Sequence, residues 1–407
     1  MSGAGIVIVG AGQGGFQAAA SLRDAGYQGK VTLVGDEPGL PYQRPPLSKA
    51  YLKGDTGIEQ IELRPAAFFA DHHIDLLNAR VESIDRAAHL LRLQGGDTLA
   101  YEHLILATGA RNRPLPVTGA DLKGVFYLRT LEDAQALKDE LARAAHVVVI
   151  GAGFIGLEFA AVARALGHEV TVIEAAARPL GRAVSVEMSA FFATEHAGMG
   201  TKLLFGAGVI GLRGEAGHVT GVETTDGTLH PADFVLVGIG VVPNVELAAE
   251  AGLAVANGIV VDELLATEDE AISALGDAGA YPSLHAGGMA RLESVQNAVD
   301  QARVLASRLT GKPLPYHAVP WFWSDQADLK LQMVGLSKPD DIAVLRGDPA
   351  SRRFSVFRFR EGVLTAIESV NRPADHMLGR RLLTGTPTLT PEQAGDEGFE
   401  LKSLLAR

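Results

Sequence analysis

The sequence contains no cysteine among its 407 residues. Without cysteine the chain can form no disulfide, thiolate nucleophile, iron–sulfur cluster or cysteine zinc site. The twelve histidines show no metal-ligand spacing, since His72 and His73 are adjacent and cannot share one helical face. No Gly-x-Ser-x-Gly nucleophile motif occurs either. We therefore expect no metal, and chemistry carried by bound organic groups rather than by a nucleophilic side chain.

Excess positive charge and long apolar runs are also missing. The 36 basic residues are outnumbered by 48 acidic ones, and the net charge of -12 argues against a general nucleic-acid binder. The apolar run from Val147 to Leu157 stops at Glu158, well short of a membrane span. The N-terminus enters a predicted strand at once, so we expect no signal peptide and a cytoplasmic protein.

A glycine-rich turn stands close to the N-terminus. The apolar run Ile6–Val9 leads into Gly10-Ala11-Gly12-Gln13-Gly14-Gly15, followed by a helical pattern that ends at Gly26. A second apolar run, 31–34, then precedes Asp36. Strand, glycine turn, helix, strand and acid together are typical of a dinucleotide-binding unit. The glycines let a pyrophosphate approach the helix N-terminus, and the acid accepts from a ribose hydroxyl.

The same unit occurs a second time. The run 147–150 leads into Gly151-Ala152-Gly153-Phe154-Ile155-Gly156, a helix to Gly167, the run 170–173 and Glu174. Asp36 lies one residue further past its strand than Glu174 does, which leaves Glu37 as an alternative acid. Two such units predict two bound dinucleotides.

The order of the remaining elements predicts three domains in an α/β chain. Residues 1–112 and 240–314 form a discontinuous first dinucleotide-binding domain, because a buried run at 272–277 returns to the first sheet. Residues 113–239 form the second dinucleotide-binding domain. Residues 315–407 alternate in polarity and predict an antiparallel sheet followed by a helix, in a C-terminal α+β domain. The fold class is thus two Rossmann-like domains plus an α+β domain.

A proline-rich loop connects the first acid to the next strand. Its three prolines, two of them in Pro45-Pro46-Leu47-Ser48-Lys49, predict a stiff, extended segment that carries two cations. A surface connection is the alternative. A loop that leaves the acid end of the second strand is placed to run beside a cofactor.

Several segments of the sequence form a recognisable set: the two glycine units, the segment 45–49, Ala107-Thr108-Gly109, Gly276-Asp277 and Trp321-Phe322-Trp323-Ser324-Asp325-Gln326. With this set the chain resembles the ferredoxin reductases of bacterial oxygenase systems, of the putidaredoxin reductase and biphenyl dioxygenase reductase type. The resemblance covers essentially the whole chain and implies the glutathione reductase fold. It also implies that the first domain binds FAD and the second binds NADH. The absence of cysteine excludes the disulfide relay found in the wider family.

The resemblance implies a reaction as well. NADH would reduce FAD, and electrons would pass one at a time to a [2Fe-2S] ferredoxin that serves a cytochrome P450 monooxygenase or a ring-hydroxylating dioxygenase. We expect no nucleic-acid or membrane partner, and a monomer or homodimer. The alternatives are a rubredoxin reductase, a general NADH:acceptor oxidoreductase, and a redox-sensing flavoprotein of the apoptosis-inducing-factor type.

Several positions are expected to bind FAD. Lys49 is assigned to the flavin ring, where a cation stabilises negative charge on the reduced ring, with a solvated loop lysine as the alternative. Arg129 has a strand-end role as its alternative, and Asp277 is assigned to the ribityl chain. The full set expected to contact FAD is Gly10, Gly12, Gly14, Gly15, Asp36, Pro46, Lys49, Val81, Ala107, Thr108, Gly109, Arg129, Gly276, Asp277, Ser294 and Val295.

A second set is expected to bind NADH. Glu174 favours NADH over NADPH because a carboxylate repels a 2′-phosphate, although Arg178 and Arg182 nearby weaken that argument. The full set expected to contact NADH is Gly151, Gly153, Phe154, Ile155, Gly156, Glu158, Glu174 and Gly240.

Three side chains are expected to act in catalysis: Lys49, Glu158 and Trp323. We place Glu158 in the first turn of its helix, where its alternative role is to complement the helix dipole. The resemblance implies that it pairs with Lys49 and touches the nicotinamide amide. Trp323 covers the flavin edge or, alternatively, packs in a core. Phe154 is either displaced when nicotinamide stacks on the flavin or a plain packing residue.

An acidic ferredoxin would need a local basic patch on this acidic chain. The candidates for that patch are Arg64, Arg303, Lys330 and Lys402.

Overall fold

The computed structural model describes residues 4–405, which divide into two compact units. The first unit comprises the chain up to Gln43, Ile58–Arg111 and Val242–Pro320. The second comprises Arg44–Gly57, Asn112–Val241 and the chain from Trp321 onward. The division into three domains stays a prediction.

The strands follow one another along the whole chain. In chain order they are β1 (Ile6–Val9), β2 (Val31–Gly35), β3 (Ile74–Asn78), β4 (Val81–Asp85), β5 (Leu90–Leu93), β6 (Thr98–Ala100), β7 (His103–Leu106), β8 (Ala110–Asn112), β9 (Val125–Phe126), β10 (His146–Ile150), β11 (Glu169–Glu174), β12 (Lys202–Phe205), β13 (Val209–Glu215), β14 (His218–Thr224), β15 (Leu229–Pro231), β16 (Phe234–Val237), β17 (Val241–Pro243), β18 (Val255–Ala256), β19 (Gly258–Val260), β20 (Ile272–Ala274), β21 (Gly279–Ser283), β22 (Gly288–Ala290), β23 (Trp321–Gln326), β24 (Leu329–Gly335), β25 (Ile342–Asp348), β26 (Arg353–Arg360) and β27 (Val363–Val370).

The helices range from single turns to four turns. In chain order they are α1 (Gln13–Asp24), α2 (Ala50–Lys53), α3 (Ile58–Ile61), α4 (Ala66–Asp71), α5 (Leu131–Leu141), α6 (Phe154–Ala165), α7 (Val186–Gly198), α8 (Glu246–Glu250), α9 (Val295–Leu309), α10 (Pro373–Leu382) and α11 (Pro391–Gly395), with 3₁₀ helices at Pro45–Ser48, Gly276–Ala278, Pro349–Ser351 and Leu401–Leu405. None of the helices within residues 4–405 has the length and apolar character that a membrane span needs.

The first unit is built on a parallel sheet with the order β20-β7-β1-β2-β3. Its central strands β7, β1 and β2 are short, largely apolar runs that are almost wholly buried, as parallel strands covered by helices usually are. Helices α1 and α9 pack against each other, and Leu22 and Leu305 are fully buried in the core of this unit. The order reverses at β1, which has β2 on one side and β7 on the other. A reversal of this kind opens the crevice in which such folds bind dinucleotides.

The second unit repeats this design. A parallel sheet with the order β12-β11-β10-β16-β9 has its reversal at β10, and α6 returns from β10 to β11. A second sheet in the unit is antiparallel, with the order β23-β24-β27-β26-β25, and α10 packs against β24 and β27. The predicted fold class, two Rossmann-like folds plus a C-terminal α+β element, agrees with this architecture.

Two local predictions are wrong. The proline-rich loop is not extended, because Pro45–Ser48 forms a 3₁₀ helix and Ala50–Lys53 a helical turn. Proline fits the first turn of a helix, where its missing N–H has no partner in any case. The second error concerns Glu158: α6 begins at Phe154, so Glu158 lies beyond the first turn.

Candidate functional site

The first glycine of each turn is required by the backbone. Gly10 has φ +110° and Gly151 has φ +105°, a region that side chains other than glycine rarely adopt. A Cβ on Gly10 would collide with the carbonyl oxygen of Ala107, and one on Gly151 would lie 2.5 Å from that of Gly238. In both units the glycine is thus pressed against the neighbouring strand at the reversal of the sheet. Each turn consequently sits at the carboxyl end of its sheet.

The helices that follow these turns begin without a side-chain cap. Their N-cap residues are Gly12 and Gly153, whereas α5, α7 and α9 are capped by Thr130, Ser185 and Ser294. The first N–H groups of α1 and α6 therefore have no capping oxygen from a side chain and can donate to an anion. A Cβ on Gly12 would meet no atom within 4 Å, so the space above this turn is open. Both turns fit a dinucleotide pyrophosphate.

The glycines that follow serve packing. A Cβ on Gly14 would lie 2.5 Å from Leu275 Cδ1, and one on Gly15 would collide with the carbonyl oxygen of Gly10. A Cβ on Gly156, the counterpart of Gly15, would likewise collide with the carbonyl oxygen of Gly151. These positions bring each helix close to its strand.

The end of β7 is held by a residue to which sequence reasoning assigned no role. Asn244 donates its amide to the Thr108 carbonyl oxygen at 2.8 Å and its backbone N–H to the Gly109 carbonyl oxygen at 2.9 Å. The Thr108 hydroxyl donates to the Asn244 carbonyl oxygen at 2.7 Å. Ala107, Thr108 and Gly109 are thereby fixed beside the first glycine turn, and the Thr108 hydroxyl proton is already used.

The other expected FAD residues of the first unit lie on separate elements. Gly276 has φ +70° and donates its N–H to Gln301 Oε1 at 2.7 Å. Ser294 caps α9 by accepting from the Asn297 N–H, and Val295 is the first residue of that helix. The Asp277 carbonyl oxygen accepts from Arg291 at 3.0 Å. Val81 is a buried residue that begins β4. Their roles toward FAD stay predictions.

Asp36 and Glu37, the two candidate ribose ligands of the first unit, have different surroundings in the structure. Strand β2 ends at Gly35, which pairs with Asn78 at the end of β3 as Glu174 pairs with Phe205 at the end of β12, so neither acid is the register equivalent of Glu174. Asp36 is exposed directly after the strand, whereas the Glu37 carboxylate accepts from the Tyr42 hydroxyl. Asp36 stays the predicted ribose ligand and Glu37 its alternative.

Glu174 ends β11 and faces the second glycine turn. Its carboxylate accepts from the backbone N–H groups of Ala152 at 2.7 Å and Ala176 at 2.8 Å. A carboxylate has about four acceptor positions, so two remain for ribose hydroxyls. Arg178 is directed elsewhere: its guanidinium donates to the carbonyl oxygens of Gly181, Val184 and Ser185. Of the two arginines that weakened the argument for NADH, one is thus committed to the backbone, and Arg182 is exposed.

Lys49 and Glu158 form the predicted ion pair. Lys49 Nζ lies 2.7 Å from Glu158 Oε2, and the two side chains are 19% and 4% exposed. Lys49 Nζ also donates to the Pro45 carbonyl oxygen at 3.3 Å, and the Lys49 N–H to that of Pro46 at 3.0 Å. The 3₁₀ turn that replaces the expected extended loop therefore aims the ammonium group. The presence of the pair is confirmed, and its role at a flavin stays a prediction.

Glu158 has two further donors that the sequence did not reveal. The Ser48 hydroxyl donates to Oε2 and the Ser324 hydroxyl to Oε1, each at 2.6 Å. Ser324 belongs to the tryptophan motif at 321–326, which the sequence analysis had singled out. Nothing in that motif indicates, however, that its serine contacts Glu158, which is far away along the chain. Three donors satisfy this buried carboxylate and fix its orientation.

Aromatic side chains surround the start of α6. The rings of Phe154 and Phe322 have centroids 4.6 Å apart, and Trp323 lies 5.7 Å from Trp321 and 6.4 Å from Phe322. Ile155 is 39% exposed and Trp323 is half-buried. This cluster belongs wholly to the second unit, and the two alternatives for Phe154 and Trp323 stay open.

The two remaining predicted positions of the second unit, Arg129 and Gly240, form hydrogen bonds through their backbone groups. Arg129 uses its N–H to donate to Asp133 and its carbonyl oxygen to accept from Arg44 at 2.6 Å. Gly240 has φ +102°, and its carbonyl oxygen accepts from the Arg113 N–H at 2.9 Å. Their contacts with cofactors stay predictions.

Comparison with known proteins decides the family. The sequence model of the pyridine nucleotide-disulphide oxidoreductases matches residues 4–302, and that of the reductase C-terminal domain matches residues 321–405. The chain belongs to the pyridine nucleotide-disulphide oxidoreductase family. This membership implies the use of FAD and NAD(H), in agreement with the fit of the two glycine turns.

Two curated relatives in this family are similar over nearly the whole chain. Rhodocoxin reductase of Rhodococcus erythropolis is 55% identical over 99% of this chain and 94% of its own length. The rubredoxin–NAD(+) reductase of Pseudomonas putida is 42% identical over 90% of this chain and 96% of its own length.

Two solved structures share the fold. The ferredoxin reductase for the CYP199A2 system of Rhodopseudomonas palustris has a TM-score of 0.97 and 51% identity, with coverage of 98% of this chain and 99% of that chain. Putidaredoxin reductase, in its covalent complex with putidaredoxin, has a TM-score of 0.96 and 41% identity, with coverage of 100% and 99%. The predicted resemblance to ferredoxin reductases and the predicted fold class are confirmed.

The fit of the first turn to a pyrophosphate leads to a prediction for Gly12. In Gly12→Ala the added methyl group would fill the open space above the turn, so we expect FAD affinity to fall about tenfold or more. The free energy of unfolding of the flavin-free protein should change little, because the methyl group meets no protein atom within 4 Å. Flavin fluorescence on dilution measures the affinity.

Gly26→Ala is the matched control. Gly26 has φ +90° and equally open surroundings, so alanine there should cost about 1 kcal/mol of stability without affecting FAD. Equal FAD affinity in Gly12→Ala and the unsubstituted protein would contradict the assignment of this turn.

Proposed function

We propose that the protein is a cytoplasmic, NADH-dependent flavoprotein reductase. It passes electrons from NADH through FAD, one at a time, to a [2Fe-2S] ferredoxin that serves a cytochrome P450 monooxygenase or a ring-hydroxylating dioxygenase. The observation that carries the proposal is the ion pair of Lys49 with the buried Glu158 carboxylate, in a chain that has two dinucleotide turns and no cysteine. The ferredoxin partner is supported by similarity to putidaredoxin reductase, whose structure is a complex with putidaredoxin.

The residues of the second unit would bind and orient NADH. Helix α6 presents its uncapped N–H groups to the pyrophosphate, and Glu174 accepts from the adenine ribose hydroxyls. Glu158 accepts from the nicotinamide amide, which sets the orientation of the ring that donates hydride. Lys49 holds a positive charge that favours the reduced, negatively charged flavin.

When bound, FAD supplies the exchange between a two-electron hydride and single electrons. A disulfide relay would need two cysteines beside the flavin, and the sequence has none. The chain thus holds no disulfide acceptor of its own, and in the proposed function the electrons pass to an external one-electron carrier.

Rubredoxin is the second candidate for that carrier. The similarity to rubredoxin–NAD(+) reductase favours it, since the same flavin chemistry serves either iron–sulfur or single-iron acceptors. Direct comparison of the two acceptors decides between them.

The preference for NADH leads to a prediction for Glu174. In Glu174→Ala the repulsion of a 2′-phosphate is removed, so the ratio of kcat/KM for NADH to that for NADPH should fall about tenfold. Steady-state kinetics with both nucleotides measure this ratio. Glu169→Ala, at the exposed opposite end of the same strand, is the control and should leave the ratio unchanged. An unchanged ratio in Glu174→Ala would refute the ribose assignment.

The role of Glu158 is tested by Glu158→Gln. The amide keeps the shape but carries no negative charge to form the ion pair with Lys49, so hydride transfer from NADH should slow about tenfold or more. Anaerobic stopped-flow absorbance of the flavin measures the rate constant. Glu368→Gln is the control, because Glu368 is a carboxylate of the same unit, equally buried, that accepts from Ser185. A Glu158→Gln protein as fast as the unsubstituted one would remove Glu158 from the mechanism.

Electron transfer itself is tested anaerobically. The protein is reduced with one equivalent of NADH and mixed with an oxidised [2Fe-2S] ferredoxin while flavin and cluster absorbance are followed. We expect fast cluster reduction that slows as salt rises, because an acidic ferredoxin must meet a basic patch. Transfer to a small uncharged acceptor is the control and should not depend on salt.

Three other outcomes would count against the proposal. Fast transfer only to rubredoxin would favour the second candidate. Fast flavin reduction without transfer to either protein would favour a redox sensor. A purified protein that binds no flavin would exclude all of these functions.

A further inference from the structure

A line of buried polar side chains leads away from Glu158. Gln326 Nε2 donates to the Ser324 hydroxyl at 3.2 Å, and His196 Nε2 lies 2.8 Å from Gln326 Oε1. With the Ser324 bond to Glu158, the line runs from α7 through β23 to α6. Ser324 and Gln326 are two residues apart, so they point to the same face of their strand. We call His196, Gln326 and Ser324 the relay.

The hydrogen bonds of the relay have one direction. Glu158 as a carboxylate can only accept, so the single hydroxyl proton of Ser324 goes to Glu158. Ser324 then needs a donor, which places the amide nitrogen of Gln326 toward it. The Gln326 oxygen faces His196 and accepts from its Nε2–H. Every proton therefore points toward Glu158.

The protonation of His196 agrees with this direction. Burial lowers its pKa below the usual value, because the surroundings disfavour the charged imidazole. A neutral ring with its proton on Nε2 has a bare Nδ1, and this atom is buried with no hydrogen-bond partner among residues 4–405. The hydrogen bond to Gln326 is therefore the one that the imidazole makes within the described part of the chain.

The relay is sealed from water. Ser324, Gln326 and His196 are each 0% exposed, and Glu158 is 4% exposed. In such surroundings hydrogen bonds in a chain strengthen one another, and losing one member leaves its neighbours unpaired. Ser324 bonds to both Glu158 and Gln326, so the loss of Gln326 would remove the donor to the Ser324 hydroxyl that holds Glu158.

We propose that Ser324, Gln326 and His196 are positioning residues that hold the Glu158 carboxylate in the orientation used for hydride transfer. This inference rests on the proposed function, because it takes Glu158 to orient the nicotinamide. It gives Ser324 and Gln326, the serine and glutamine of the tryptophan motif, the role of orienting Glu158. The alternative is a relay that stabilises the fold and has no influence on Glu158.

The test uses two substitutions in the relay. Ser324→Ala removes the donor itself, and Gln326→Met removes the next link with a side chain of similar size. Ser324→Thr keeps the hydroxyl and should restore the function. Ser355→Ala is the control, since Ser355 is an equally buried hydroxyl of the same sheet that bonds to Ser369 and Asp375 instead.

The first readout is independent of turnover. In the flavin-loaded protein, the ¹³C resonance of the Glu158 carboxyl group is assigned by its loss in Glu158→Gln. We expect it to shift in Ser324→Ala and in Gln326→Met, and to stay in place in Ser355→Ala. An unmoved resonance in Gln326→Met would overturn the proposal, because it would show that the relay does not reach Glu158.

The second readout is hydride transfer from NADH in the stopped-flow instrument. The rate constant should fall about tenfold in Ser324→Ala and about threefold in Gln326→Met, and stay near that of the unsubstituted protein in Ser324→Thr and Ser355→Ala. Slow transfer in Glu158→Gln with normal transfer in both relay variants would overturn the proposal and leave the proposed function intact. Normal transfer in Glu158→Gln itself would refute the role of Glu158, whatever the resonance does.

Discussion

The second unit depends on the burial of one negative charge. A carboxylate removed from water is strongly destabilising unless it is paired and hydrogen-bonded, and removing one partner of a buried pair typically costs about 3–5 kcal/mol. Glu158 satisfies this requirement with Lys49, Ser48 and Ser324. These donors come from the proline-rich loop and from the antiparallel sheet. The charge on α6 thus constrains three otherwise separate parts of the unit.

The two dinucleotide units share a backbone design but differ in their polar side chains. Both begin with a glycine at φ above +100° pressed against the neighbouring strand, and both helices start without a side-chain cap. They differ where β2 ends in Gly35 and β11 ends in Glu174, which two backbone N–H groups orient. The backbone thus suits a pyrophosphate in both units, and the residue at the end of the second strand is a position where the two units differ.

Sequence patterns predicted the features that depend on neighbours along the chain. The glycine turns, the apolar strands and the alternating C-terminal strands are local patterns, and each appears in the structure close to its expected position. The extended loop and the first-turn position of Glu158 were wrong, because proline tolerates a helical turn and because helix starts are poorly marked when glycine is the cap. The donors to Glu158 were missed because Ser48 and Ser324 lie 110 and 166 positions away from it.

The absence of cysteine gives these polar groups their importance. In a chain with a redox-active disulfide, the protein itself accepts electrons and forms covalent bonds. Here the side chains around α6 offer charge and hydrogen bonds only, so they can orient a nucleotide and favour one charge state but cannot store electrons. In the proposed function, reactivity then depends on the placement of the donors around Glu158. The buried Ser324 and Gln326 of β23 would act at this point, because Ser324 donates to Glu158 and Gln326 donates to Ser324.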